Sequence, residues 1–276
     1  MTIFDFNIHL PLQKHIQNND VNEVIHEDLH LNFRDLRTSF QKNLSKLQQC
    51  TGGNFMLFNT KLFDEEIKNF SDFNNLVKSE LKYASFTALI DFRRKDVFNY
   101  LEKVVNNIDF IMFNSYLQQI SEEDFESVYK VCSFAEKNKI KICIDASYGT
   151  SKMYTYDNLK LACYITDRIT RIPVVIIHCG GKRILDAMLL AADKSNIYLD
   201  TSFSLPYYIN SSVEMDMAFA FKNIGTHRVL YGSDFPYLNS DKAKEIHLDF
   251  FDKYHFSSED VENIMFNNAV RLIQDE

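Results

Sequence analysis

Short runs of apolar residues recur along the chain, and each is followed by a stretch in which apolar positions return at helical spacing. The runs are Ile3–Ile8, Phe55–Phe58, Phe86–Phe92, Phe110–Phe113, Ile140–Ile144, Pro173–Ile177, Ile197–Leu199 and Val229–Tyr231. Runs this short and continuous, rather than alternating, are how strands of a parallel sheet read when helices cover it. Between them, Phe125, Val128, Tyr129, Cys132 and Ala135 fall on one helical face, as do Ile184, Leu185, Met188 and Leu189. Phe40, Leu44 and Leu47 form the apolar side of a first helix. Ser257-Ser258-Glu259-Asp260 reads as a helix start before Val261 and Ile264. Repeated strand–helix alternation predicts an α/β fold, a (β/α)8 TIM barrel. An open doubly wound sheet is the alternative that strand count leaves standing.

No internal repeat and no Pro/Gly/Ser-rich linker divides the chain, so residues 1–276 are expected to form one domain. The least regular stretch, from Pro11 to Gly53, reads as a lid-like excursion after the first strand together with the first helix. A length of 276 residues suits one barrel, and 46% hydrophobic positions supply its core.

The net charge of −8 is mixed along the chain with no basic stripe, which argues against nucleic acid as a partner. No apolar run approaches the roughly 20 residues that span a bilayer. The five cysteines form no Cys-x-x-Cys pair and read as reduced thiols. The start shows no basic segment leading into an apolar one. A soluble, cytoplasmic protein is the expectation.

In such barrels chemistry collects where strands end. Strand one ends in Asp5-Phe6-Asn7-Ile8-His9, whose period of two sets Asp5, Asn7 and His9 on one face. Strand five ends in Ile144-Asp145, strand six in His178-Cys179-Gly180-Gly181, and strand eight in Gly232-Ser233-Asp234-Phe235-Pro236. Four strands thus deliver ionisable or amide groups to one edge, as a metal or acid/base site requires. Arg93 (with Arg94) and Lys182 (with Arg183) are candidates to clamp an anionic substrate. Gly180-Gly181 is expected to open a helix with free N–H groups for an anion. Tyr148 and Ser202 are candidate hydrogen-bond donors in neighbouring loops. Plainer roles stand beside each of these. Asp234 can cap a turn, His9 and His178 can be satisfied core histidines, and Asn7 and Asp145 can brace the mouth. Lys182 can be a solvated surface charge.

These motifs, followed by Asn196-Ile197-Tyr198-Leu199-Asp200-Thr201-Ser202 and Asn268-Ala269-x-Arg271-Leu272 in order, resemble the amidohydrolase-2 group of the amidohydrolase superfamily. That branch holds aromatic-acid decarboxylases and lactonases. The resemblance implies metal-ligand positions for His9 and Asp234, and a ligand or acid/base position for His178. It implies a divalent metal (Mn, Zn or Mg) and a homodimer. Asn7 and Asp145 stand where the family carries histidines, and an amide and a carboxylate there shift preference from Zn toward Mn or Mg. The implied activity is hydrolysis of an amide or lactone, or decarboxylation, of a small carboxylated, anionic substrate. A metal-free version, as in lactonase members, makes Asp234 the general base while His178 polarises a carbonyl. The alternative is a catalytically degenerate barrel that serves as a binding or scaffold protein.

Overall fold

The computed structural model describes residues 1–11, 28–147 and 151–274. Part of the expected lid-like excursion, and Tyr148, therefore lie outside the described residues. The described strands are β1 (Phe4–Ile8), β2 (Gly52–Leu57), β3 (Tyr83–Leu89), β4 (Phe110–Asn114), β5 (Lys141–Asp145), β6 (Val174–Ile177), β7 (Ile197–Asp200) and β8 (Val229–Leu230). Each pairs in parallel with the next in sequence. The seam closes between the ends. Phe6 N–H donates to the Tyr231 carbonyl at 2.9 Å, His9 N–H to Phe235 at 2.7 Å, and Asp234 N–H to Asn7 at 3.0 Å. These bonds make the sheet a barrel rather than the open alternative, and they run through the residues that carry the candidate chemistry.

Helices intervene between the strands: α1 (Phe33–Leu47), α2 (Ile67–Glu80), α3 (Val97–Val104), α4 (Phe125–Lys137), α5 (Asn158–Thr166), α6 (Ile184–Asp193) and α7 (Ser212–Ile224). α8 (Ser240–Lys253) follows the last strand. Local signals start several of them. Asn32 caps α1 in a reciprocal box with Asp35, and Asn239 accepts from two backbone N–H groups at the start of α8. Ser257 caps the C-terminal helical segment as its sequence suggests. Among the described residues, no helix is long and apolar enough to cross a membrane.

Two apolar clusters follow from the pleat. The smaller includes Phe4, Phe6, Met56, Phe110, Met112, Cys143, Val175, Ile177 and Leu230. Phe6 on β1 meets Phe110 on β4 edge-on at 5.3 Å, a contact between non-adjacent strands that only the barrel interior permits. The larger cluster packs the helices onto the outside of the sheet, with Phe40, Phe55, Phe70, Phe73 and Phe86 in mutual ring contact.

Two expectations need correction. β2 begins at Gly52 rather than Phe55, because the glycine pair at the end of the stretch that reads as irregular is a close-packed strand start. A Cβ on Gly52 would lie 2.7 Å from Phe4 and Tyr83 side-chain atoms. Gly180-Gly181 does not open a helix. His178, Cys179, Gly180 and Gly181 all have positive φ (62°, 46°, 84° and 54°), and the regular helix starts only at Ile184.

Two further positions hold the top of the barrel. Buried His247 on α8 receives the Thr201 hydroxyl at Nε2 (2.8 Å) and donates from Nδ1 to the Ala243 carbonyl (2.7 Å). Gly232, after β8, lies where a Cβ would come within 2.5 Å of Asp200 Oδ2 and 2.8 Å of Ser202 Cβ.

Burial lowers the His247 imidazole to about 4, against a raising contribution from the Ala243 carbonyl. The unfolded chain therefore takes up a proton that the folded chain refuses, and stability falls as pH drops from 6.5 toward about 4. The full effect is roughly 3 kcal/mol. Denaturant midpoints measured across that range should fall less in His247→Gln than in the wild type, and parallel curves would refute the assignment. Gly232→Ala should destabilise by about 1–3 kcal/mol through overpacking. An unchanged midpoint would show that strand eight does not approach Asp200 this closely.

Candidate active site

The C-terminal ends of five strands converge on a buried polar mouth. β1 brings Asn7 and His9, β5 brings Asp145, β6 brings His178, β7 brings Asp200 with Ser202 after it, and Asp234 follows β8. All are buried. The β1–β2 register shifts between Asp5 and Ile8, an irregularity of the kind that re-aims side chains beside a site.

Two imidazole–carboxylate pairs dominate. His178 Nε2 lies 3.4 Å from Asp145 Oδ2, and His9 Nε2 lies 3.6 Å from Asp234 Oδ1. The other nitrogen of each ring is anchored. His178 Nδ1 donates to the Ser202 carbonyl at 2.9 Å, and His9 Nδ1 donates to Asp28 Oδ2 at 2.8 Å. With the Nδ1 atoms so fixed, each ring turns its Nε2 toward a carboxylate.

Burial opposes charge on His178, but Asp145 first, then Asp234 and Asp200, outweigh it and raise the imidazole to about 10. Burial likewise opposes charge on His9, and the Asp234 and Asp28 carboxylates raise it to about 9. Burial pushes Asp145 upward, yet the His178 cation and Ser147 N–H hold it below the usual carboxylate value. Both imidazoles are therefore cations at neutral pH, balanced by carboxylates that are themselves buried.

A second layer lies beneath. Asp200 accepts the His178 backbone N–H at 3.1 Å and the Ser202 hydroxyl, which pins His178 in its left-handed conformation. Asn7 donates from Nδ2 to Ser202 Oγ at 2.9 Å. Asp5 accepts from Ser233 N–H at 2.8 Å and Ser233 Oγ–H at 2.5 Å. Burial raises Asp5 to about 7, against the Ser233 hydrogen bonds, and raises Asp200 to about 6, against His178 and Ser202. Asn7 Oδ1 and Asp200 Oδ2 are buried without a hydrogen-bond partner.

An aromatic rim flanks His178. Phe203 meets its ring edge-on at 5.7 Å and stacks on Tyr207 at 5.3 Å with planes 20° apart. Phe203 holds φ 55°, a left-handed conformation costly for a non-glycine residue and common where side chains are aimed for function. Exposed Lys182 donates to the Tyr154 hydroxyl and sits 4.3 Å over that ring.

The structure thus brings together Asn7, His9, Asp145, His178, Ser202 and Asp234. It sets Arg93 apart, since that guanidinium donates to the Gln118 carbonyl (2.7 Å), the Gln119 carbonyl (3.2 Å) and Asp124 (2.6 Å), bracing the loop after β4. Sequence reading missed Asp28, Asp200, Phe203 and Tyr237. Asp200 alone carried a usable signal, as the polar end of an apolar strand.

The donor set does not fit the metal centre that the resemblance implies. Among the described residues, no three of His, Cys, Asp and Glu converge as ligands. His178 Nε2 with Asp145 Oδ2, and His9 Nε2 with Asp234 Oδ1, form two separate couples rather than one shared cluster of donors.

No curated protein matches the chain in sequence. Among solved structures it is similar to an uncharacterised TIM-barrel protein from Bordetella bronchiseptica (16% identity, TM-score 0.74, 99% of each chain covered). It is also similar to a probable 2-pyrone-4,6-dicarboxylic acid hydrolase from Acinetobacter baumannii, solved with citric acid bound (14%, TM-score 0.60, 99% of this chain and 100% of that one). A third is a dihydroxybenzoic acid decarboxylase from a Polaromonas species, solved with manganese and the inhibitor 2-nitroresorcinol (12%, TM-score 0.62, 99% and 97%). At these identities the likeness establishes the fold. Membership rests on the sequence profile of the amidohydrolase family, which matches residues 84–274 and so takes in β4 to β8 with Asp145, His178 and Asp234: the chain belongs to the amidohydrolase family.

Proposed function

We propose that this protein is an acid–base enzyme acting on a small, planar, carboxylated molecule at the C-terminal mouth of the barrel. The reaction is hydrolysis of a lactone or amide, or release of carbon dioxide from an aromatic acid. The observation that carries the reading is the pair of buried imidazole–carboxylate couples, His178 with Asp145 and His9 with Asp234. Groups of opposite protonation state held side by side, out of water, are what proton transfer at neutral pH needs.

In this reading His178 is the acid. Its imidazolium attracts the substrate carboxylate or polarises the carbonyl under attack, and stabilises negative charge as it develops on oxygen. Asp234 handles the reacting proton. In hydrolysis its carboxylate takes the proton from water; in decarboxylation it takes up a proton from solvent and delivers it to the ring carbon that loses carbon dioxide. Phe203 and Tyr207 offer flat faces for a ring beside His178, and Lys182 supplies positive charge at the rim. The pyrone hydrolase and dihydroxybenzoate decarboxylase relatives act on flat rings bearing carboxyl groups, which agrees with this choice of substrate class.

The purified protein should be offered hydroxybenzoates and pyrone carboxylates, with carbon dioxide release and loss of ring absorbance as the readouts. His178→Ala and Asp234→Ala should each lower turnover by about 10²–10⁴-fold. Undiminished turnover in both would end this mechanism. Activity that depends on the His178 cation should fall as pH rises through about 10, and Asp145→Asn should move that fall to lower pH. Elemental analysis runs alongside. Stoichiometric manganese or zinc in the wild type, lost in His9→Ala and Asp234→Ala, would overturn the metal-free account. Tight binding of these acids without turnover would favour the binding-protein alternative.

A further inference from the structure

Asp28 has no part in the roles assigned so far, yet it is buried at 4% exposure and its Oδ2 lies 2.8 Å from His9 Nδ1. The His9 ring is edge-on to Phe58 at 4.8 Å and to Tyr237 at 5.2 Å. Such contacts confine the ring plane but do not choose which nitrogen carries a proton. Its directed partners are carboxylates, Asp28 at Nδ1 and Asp234 at Nε2. Asp28 is not the cap of α1, a task done by Asn32, and it stands 19 residues from His9 in sequence. The phenol of Tyr237 is buried beside the same carboxylate, and burial, then the Asp28 and Asp234 charges and a hydrogen-bonding interaction with Asp28, push its ionisation far upward. Tyr237 therefore remains a neutral wall beside the pair rather than a competing anion.

We propose that Asp28 is a positioning residue: by accepting the Nδ1 proton it fixes the orientation of the His9 ring, whose Nε2 in turn holds the Asp234 carboxylate at the mouth. This rests on the proposed function only in giving Asp234 a reaction to perform. A buried carboxylate bonded to an imidazole N–H is a strong, charge-assisted acceptor. It makes rotation of the ring, or transfer of its proton to the other nitrogen alone, costly. Asp28 thus acts on the chemistry through His9 without touching the reacting atoms.

The test reads the His9 ring directly and needs no substrate. In full-length protein labelled with ¹⁵N-histidine, the His9 resonances are assigned by their loss in His9→Gln. The wild type should show a proton on Nδ1, protected from exchange and shifted strongly downfield. Asp28→Ala should lose that signal while the backbone amide spectrum away from the mouth is retained. Persistence of the signal in Asp28→Ala, or a wild-type His9 protonated on Nε2 only, would overturn the proposal. If Asp28→Ala does not fold, Asp28→Asn decides. An amide oxygen still accepts, but more weakly, so the Nδ1 proton should remain and move upfield; an unmoved resonance would refute the role. Because these spectra do not depend on turnover, a failed substrate screen and a failed Asp28 assignment are distinguishable.

Discussion

Carboxylates buried beside one another, at the C-terminal rim of the barrel, form the constraint from which the mouth of this protein is built. Asp28, Asp145, Asp200 and Asp234 are all buried, and a carboxylate removed from water without a partner costs several kcal/mol. The chain offsets this with two imidazoles, each placed between anionic or carbonyl acceptors, and with hydroxyls from Ser202 and Ser233. The carboxylates raise the histidines, and the His178 cation helps hold Asp145 below the usual carboxylate value. Each group owes its charge state to its neighbours, so substitution of one is expected to change the others.

The fold serves that arrangement in particular ways. The seam between β1 and β8 is made by backbone bonds of His9, Asn7 and Asp234 themselves, so barrel closure and site assembly are one event. The positive φ values at His178 and Asp234 turn the chain sharply just as each strand ends, which brings side chains over the mouth rather than along the sheet. Gly232 is needed because Asp200 and Ser202 occupy the space that a side chain would take. These are local strains held by a rigid surround, as functional sites commonly show.

Where the resemblance implies imidazole donors on strands one and five, the chain carries Asn7 and Asp145. The consequence is electrostatic as much as coordinative. Asp145 Oδ2 lies 3.4 Å from His178 Nε2, and its charge is the largest influence raising that imidazole. What reads in sequence as the weakening of a metal site is, in three dimensions, a second ion pair.

The sequence by itself determined the architecture, because buried parallel strands and amphipathic helices write their periods directly into neighbouring residues. The eight runs, the helix faces and the strand-end positions of His9, Asp145, His178 and Asp234 were all legible in this way. Its limits were equally physical. Arg93 reads as a substrate clamp from its place after a strand, but only tertiary structure reveals that the loop after β4 occupies its donors. Gly52-Gly53 reads as the end of an irregular stretch, because sequence does not show how closely Phe4 and Tyr83 approach. Asp28 sits in an irregular acidic stretch with no period and no motif. Its meaning comes from a contact with His9, 19 residues away in sequence, that no local pattern encodes. Pairing among the charges was likewise decided only by the fold, since distances of 3.4 and 3.6 Å between strand ends are set by barrel curvature and side-chain length together.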